Sequence, residues 1–204
     1  MSKLPLRKPR CIIVTGRQGA GKTTLAKKLG ERLWMPVLIR DEIKEGYVAT
    51  YGVKHDELPP ETNGLVTDLF FSLVYQYLAG NVSVVIEAAF QHKVWEPRMD
   101  EILALAHASI ILCKAEDEVT SRRPLERAVE NPSREFYHGD HRAAHFRKTG
   151  EILSPARYDP PKLDVPIIEV RTDDGYFPSI DELAKLIMAP HLDAEIRSRN
   201  EPGA

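Results

Sequence analysis

A chain of 204 residues, 43% hydrophobic and 28% charged, has room for one well-filled core rather than two. Its formal net charge of −2 supplies no basic field for gripping duplex nucleic acid, and no apolar run approaches the length of a membrane span. The 2 cysteines, Cys11 and Cys113, stand singly in apolar runs, a pattern of buried free thiols in a reducing cytosol rather than of a disulfide framework or a zinc site.

The first ten residues carry Lys3, Arg7, Lys8 and Arg10 with no apolar stretch behind them, so 1–10 is expected to be a flexible leader. Cys11–Thr15 is a short β-rich run that breaks into Gly16-Arg-Gln-Gly-Ala-Gly21. Lys22–Leu33 reads as a helix, with Leu25, Ala26, Leu29 and Leu33 at helical spacing. Pro36–Ile39 is a second strand, and Asp41 stands where it can cap a helix running to about Thr50. After Leu58-Pro-Pro-Glu61 a long helix is expected to reach Ala79, with Leu65, Leu69, Leu73 and Tyr77 as its apolar face.

Val82–Ile86, closed by Glu87, is the third strand; Val94–Ala106 is a helix; Ser109–Cys113 is the fourth strand. The stretch from Glu116 to about Gly150 is polar and arginine-rich, with little apolar content for a core, and reads as a lid inserted over the strand ends. Val165–Val170 is the fifth strand and Ser179–Met188 a last helix, followed by a tail from Pro190 with no clear apolar face. Short strands alternating with helices imply right-handed βαβ units and a parallel sheet covered on both faces, so the chain is expected to form one domain over 11–189.

Gly16-Arg17-Gln18-Gly19-Ala20-Gly21-Lys22-Thr23 fits G-x-x-x-x-G-K-[ST], the Walker A pattern of a phosphate-binding loop. Glycines let backbone N–H groups turn inward around phosphate oxygens, and the following helix adds its positive end. Lys22 supplies a point charge for the β- and γ-phosphates, the Thr23 hydroxyl can ligate Mg²⁺, and Thr24 can add a hydrogen bond. The four fixed positions would recur by chance in roughly one chain of this length in a hundred. A strand before and a helix after make ATP·Mg²⁺ binding the expectation.

The carboxyl ends of strands in such sheets face the ligand crevice. Asp41 therefore reads either as a general base for an attacking hydroxyl or simply as a helix cap. Lys44, one turn on, is open to two readings: a partner for an anionic substrate group, or a solvated charge. Glu87, at the end of an apolar strand, can hold the Mg²⁺ shell through water, orient a substrate hydroxyl, or merely end the strand. Of the residues that follow, Trp95 is expected to pack into the core, while His92 is open between packing and lining an acceptor pocket. Arg122, Arg123, Arg127 and Arg134 form a basic cluster in which Arg123 and Arg127 share a helix face; closing over a γ-phosphoryl group, they would stabilise its charge. His138, His141 and His145 with Asp140 do not have the spacing of a recognised zinc set.

Taken together, Gly16–Thr23, Asp41, Val84–Phe90 and the Arg123/Arg127 pair resemble the zeta-toxin and polynucleotide-kinase-like branch of P-loop kinases, over most of the chain from Cys11 to about Met188. The resemblance implies an α/β P-loop NTPase fold of the nucleoside-monophosphate-kinase type, with a five-stranded parallel sheet and an arginine-rich lid. It implies transfer of a γ-phosphoryl group from ATP to a hydroxyl, with Lys22 and Thr23 on phosphate and Mg²⁺ and Asp41 as base. Arg123 and Arg127 would be lid arginines, Arg123 also stacking on adenine, with Thr172 in the stretch bordering adenine and Arg134 toward the substrate. Two departures stand out: Lys44 where polynucleotide kinases tend to have Arg, and Glu87 where Asp is common. A small-molecule acceptor is the leading reading, with a 5′-hydroxyl polynucleotide kinase and a non-catalytic ATP-dependent switch as alternatives.

Overall fold

The structure, a computed structural model, describes residues 7–189; the expected tail from Pro190 and the first six residues of the expected leader lie outside them. Its elements in chain order are β1 (Arg10–Gly16), α1 (Lys22–Leu33), β2 (Val37–Ile39), α2 (Arg40–Tyr51), a 3-10 turn at His55–Glu57, α3 (Thr62–Ala79), β3 (Val84–Glu87), α4 (His92–Leu105), β4 (His107–Lys114), α5 (Asp117–Glu130), α6 (Ser133–His138), α7 (Arg142–Thr149), β5 (Ile167–Arg171) and α8 (Ile180–Met188). The five strands form one sheet in the order β2-β3-β1-β4-β5. All four neighbouring pairs are parallel, as the alternating pattern predicts. β1 begins at Arg10, so ordered structure starts within the stretch expected to be a leader.

β1 is paired on both edges and covered on both faces, which is why it is a continuous apolar run. Cys11 and Ile13 face a core built with α3 and α4, and Ile12 and Val14 one built with α1 and α8. Burial pushes the thiols of Cys11 and Cys113 up to about 12, so both stay protonated and free. Gly30 lets α1 approach β2, since a Cβ there would run into the Val37 side chain. Ser179 opens α8 with a capping box, its side chain accepting from the Glu182 amide while the Glu182 carboxylate accepts from the Ser179 amide. Among the described residues no helix is long and apolar enough to cross a membrane.

Several expectations are corrected. α3 does not bury Leu65 and Leu69, which are exposed; it buries Val66, Phe70, Phe71, Val74 and Leu78. The reason is an aromatic cluster: Phe71 stacks on Phe90 and meets the buried Trp95 edge-on, with ring centroids 5.7 Å apart in each case. α2 starts one residue before Asp41, with Ile39 at its cap position, so Asp41 lies in the first turn and caps nothing. The lid segment is not wholly outside the core, because α5 buries Thr120, Pro124, Leu125 and Ala128. β5 is an edge strand with only Val170 buried.

The face correction is checked by equilibrium unfolding. Phe70→Ala should cost about 3–5 kcal/mol, a large-to-small change in a packed core, whereas Leu69→Ser should stay within about 0.5 kcal/mol of wild type. The reverse order would return Leu69 to the core.

Candidate active site

The loop between β1 and α1 is built as its glycines require. Gly16, Gly19 and Gly21 have φ of 147°, 82° and 73°. A Cβ at Gly16 would stand 2.5 Å from the Cys113 carbonyl, and one at Gly19 would overlap the Thr120 backbone. The loop is thus pressed between the end of β4 and the start of α5. Lys22 is buried and lays its ammonium group back over the loop, donating to the Arg17 carbonyl at 3.0 Å. Arg17 pairs with Asp117, and Thr24 is exposed at the start of α1.

From behind, two side chains fasten the loop. Thr172, buried just past β5, donates to the Ala20 carbonyl at 3.0 Å. Arg123 donates from Nη2 to the carbonyls of Thr172 and Asp173 at 2.7 and 2.8 Å, with Nη1 at 3.5 Å from the Gly19 carbonyl. Beside this clamp a cavity of about 590 Å³ opens between the ends of β4 and β5 and the segment 157–160, with Arg17, Leu112, Glu116, Tyr158 and Asp173 in its wall.

In front, Glu87 ends β3 between Val14 of β1 and Ile39 of β2. It is buried and accepts a 2.8 Å hydrogen bond from the Thr23 hydroxyl. Burial pushes its carboxyl above the usual range; the Lys22 charge and the Thr23 bond pull the other way, and Asp41 and Glu42 push it further up. A hydroxyl and a carboxylate oxygen side by side at the foot of the loop are hard oxygen donors, and this pair fits a small divalent cation. Next to it, Thr15 donates to the Ala88 carbonyl at 2.8 Å and shares a 2.9 Å hydrogen bond with the Tyr158 hydroxyl.

Asp41 is open to solvent, with 64% of its side chain exposed, at 3.3 Å from Arg40. Lys44, by contrast, is buried, which excludes the solvated-charge reading. Its ammonium group meets the Asn63 side-chain oxygen at 2.6 Å and Nε2 of His55 at 2.5 Å. Burial lowers its pKa, as does the neighbouring Arg40 charge. Through His55 it touches a chain of pairs: His55 Nδ1 to Asp56 at 2.9 Å, and Asp56 to Nε2 of His141 at 2.7 Å. His138 pairs with Glu45 at 3.0 Å. Among the described residues no three histidine, cysteine or carboxylate side chains converge as a metal cluster. His92 accepts from the Lys162 amide through Nδ1 at 3.3 Å and faces Glu96.

The lid arginines separate into two groups. Arg123 belongs to the clamp, and Arg127 donates from Nε to the Arg123 carbonyl at 3.3 Å. Arg134 and Arg142 flank Asp140, whose side chain is only 3% exposed, at 3.5 and 2.9 Å. Arg142 also donates to Gln18 of the loop at 2.7 Å, which brings α7 onto the phosphate site. Arg142, Asn63 and His55 have no motif to mark them in the sequence, and Asp140 stands out there only beside the histidines. The sequence carries no sign of Arg142, because its partner in the loop lies 124 residues away.

The sheet order, the loop and the helical cover define a P-loop domain of kinase-like fold. The chain belongs to the AAA domain family AAA_33, whose model matches residues 11–148. No curated protein matches it significantly. Among solved structures it is similar to a Chloroflexus aurantiacus protein whose kinase assignment is itself provisional, at 21% identity and a TM-score of 0.71 over 89% of this chain and 97% of that one. It is also similar to a sugar kinase of Janibacter, at 16% identity and a TM-score of 0.55 over 90% and 98% of the two chains. A third is the APS kinase of Mycobacterium tuberculosis in complex with AMPPNP and APS, at 16% identity and a TM-score of 0.58 over 90% and 97%. At these identities the likeness is one of fold.

Glu87 generates a stability test. Its folded pKa is raised, so the native state is favoured while the carboxyl is protonated and loses that advantage as pH climbs through the raised value. Glu87→Gln keeps an oxygen for Thr23 and cannot ionise. Its melting temperature should exceed that of wild type by a few degrees at pH 7.5 and converge with it near pH 4. A wild-type protein that melts higher across the whole range would contradict this electrostatic account.

Proposed function

We propose that this protein is an ATP-dependent kinase that transfers the γ-phosphoryl group to a hydroxyl of a small molecule. The observation that carries the reading is the joint setting of Lys22 over the glycine loop, the Thr23–Glu87 pair at its foot, and the exposed Asp41 past the neighbouring strand. In this reaction the acceptor oxygen bonds to the γ-phosphorus, the bond to the β–γ bridging oxygen breaks, ADP leaves, and the acceptor proton passes to Asp41. Backbone N–H groups of Gly16–Thr23 cradle the phosphates and Lys22 follows the β/γ charge. Thr23, and Glu87 through water, would hold Mg²⁺, which when bound neutralises charge on the β- and γ-oxygens.

Arg123 is gripped edge-on by carbonyls, which leaves its flat faces to stack on adenine. The adjoining cavity of about 590 Å³ has room for a nucleoside, and the neighbours of Thr172 in the chain, Arg171 and Asp173, line it. Arg127 and Arg134 would close over the transferring group. The glycine loop, Asp41 and the Arg123/Arg127 pair support membership of the zeta-toxin and polynucleotide-kinase-like branch, from which Lys44 and Glu87 depart. A small acceptor is favoured over a nucleic-acid end because the net charge of −2 supplies no field for a polyanion. The buried free thiols fit a cytosolic setting.

The test is incubation with γ-labelled ATP and a panel of sugars, sugar acids, nucleosides and antibiotics, read by mass for phosphoryl gain. With the acceptor found, Asp41→Asn should lower kcat by about 10²–10⁴ while leaving ATP affinity within about twofold; Lys22→Ala should weaken ATP binding as well. Tight ATP binding without product from any acceptor would replace the enzyme by a nucleotide-dependent switch, and an undiminished Asp41→Asn would remove the base.

A further inference from the structure

Asp140 is the buried charge of the lid, with only 3% of its side chain exposed, and the reaction proposed above gives it no part. It stands between α6 and α7, two helices that bury no residue of their own. Burying a carboxylate is costly unless a hydrogen-bonded cation compensates it. Its Oδ1 accepts from Nη1 of Arg142 at 2.9 Å and from the Arg142 amide at 3.4 Å. Among the described residues its Oδ2 accepts no hydrogen bond, and Arg134 stands 3.5 Å from it. The firm contact of Asp140 is therefore with Arg142.

The other edge of the same guanidinium group lies on the glycine loop, where Nη2 donates to the Gln18 side chain at 2.7 Å. Gln18 follows Arg17, whose carbonyl accepts from the Lys22 ammonium group at 3.0 Å. Arg142 thus reaches the loop beside the charge that follows the β- and γ-phosphates. Arg123 meets the loop from behind and is held there by the carbonyls of Thr172 and Asp173. The guanidinium groups of Arg127, Arg134 and Arg142 crowd around the one carboxylate: burial and the Arg134 charge lower the pKa of Arg127, and Asp140 is the group that raises it. A guanidinium group is a flat, rigid fork of donors, so pinning one edge decides where the other points. Gln18 offers that free edge a neutral oxygen. A phosphoryl oxygen is charged and makes a bond roughly twice as strong. Nη2 can pass from one to the other while Nη1 stays on Asp140.

We propose that Asp140 is a positioning residue of the phosphoryl-transfer site: by holding one edge of Arg142 it aims the other at the terminal phosphoryl group of the bound nucleotide. The inference rests on the kinase reading above and adds to it a carboxylate that touches neither nucleotide nor acceptor. Asp140 acts through Arg142 and through no other group. A nucleoside diphosphate lacks the terminal phosphoryl group, so its binding does not depend on Asp140.

The test compares, by calorimetry on the full chain with Mg²⁺, the binding of ADP and of a non-hydrolysable ATP analogue. The ratio of the two affinities reads the contact with the terminal phosphoryl group. Asp140→Asn should lower analogue affinity about tenfold, the scale of one charge-assisted hydrogen bond, and leave ADP affinity within about twofold. Asp140→Glu keeps the charge and should restore part of the loss. Arg142→Met should lose at least as much analogue affinity as Asp140→Asn. Adding Asp140→Asn to Arg142→Met should then change nothing further. Melting temperatures are recorded for each variant. Should Asp140→Asn fail to fold, Asp140→Glu and Arg142→Lys carry the comparison: a lysine has the charge without the fork, and should lose about tenfold on the analogue alone. Analogue and ADP weakened equally by the Asp140 variants, an analogue affinity unmoved by them, or full additivity with Arg142→Met would each overturn the positioning role and leave the kinase reading standing. A wild-type protein that binds neither nucleotide would sink the kinase reading itself, and this inference with it.

Discussion

The contact on which the site depends is the hydrogen bond from Thr23 to the buried carboxylate of Glu87. A carboxyl at this depth tends to hold its proton, and Lys22 and Thr23 are what oppose that tendency. The geometry follows from the strand order. β3 lies between β1 and β2, so its last residue comes level with the start of the glycine loop on one side and of α2 on the other. One buried negative charge therefore faces the loop lysine, the loop threonine and the acidic first turn of α2 together. A positive charge arriving beside it meets a carboxylate already oriented by Thr23.

The loop is equally constrained from behind. With no room for a Cβ at Gly16 or Gly19, its backbone lies flat against Cys113 and Thr120. Thr172 and Arg123 then tie it to the end of β5. The two arginines that share a face of α5 therefore do different work: Arg123 is spent on backbone carbonyls, and Arg127 leads toward the group around Asp140. That division could not be read from their spacing of four, which says only that they lie side by side.

What the sequence made legible were features with local grammar. The loop declares itself because its glycines, lysine and threonine each have a separate physical job within eight residues. α1 and β1 follow from unbroken apolar patterns beside it. α3 misled because apolar residues surround much of its circumference: Leu65, Leu69 and Leu73 keep helical period as well as Val66, Phe70 and Val74 do. Contact with Phe90 and Trp95, some twenty residues further on, decided which series went inside. Burial of Lys44 was hidden for the same reason, since its partners His55 and Asn63 stand on two other elements.

The lid joins the rest of the molecule in a way suited to movement. α6 and α7 bury no residue of their own, and their ties to the body are polar: Arg142 to Gln18, His141 to Asp56, His138 to Glu45. Such contacts exchange readily for water, so separating them costs far less than opening an apolar seam. The turn between the two helices nevertheless has a defined seat, because Gly139 packs where a Cβ would collide with Asp56. The same Asp56 orients His55, which touches Lys44. Lid position and the buried cation of α2 are thus read by one carboxylate. Displacing His141 from Asp56 removes one of the two imidazoles that share its charge, and the remaining one is the ring that contacts Lys44.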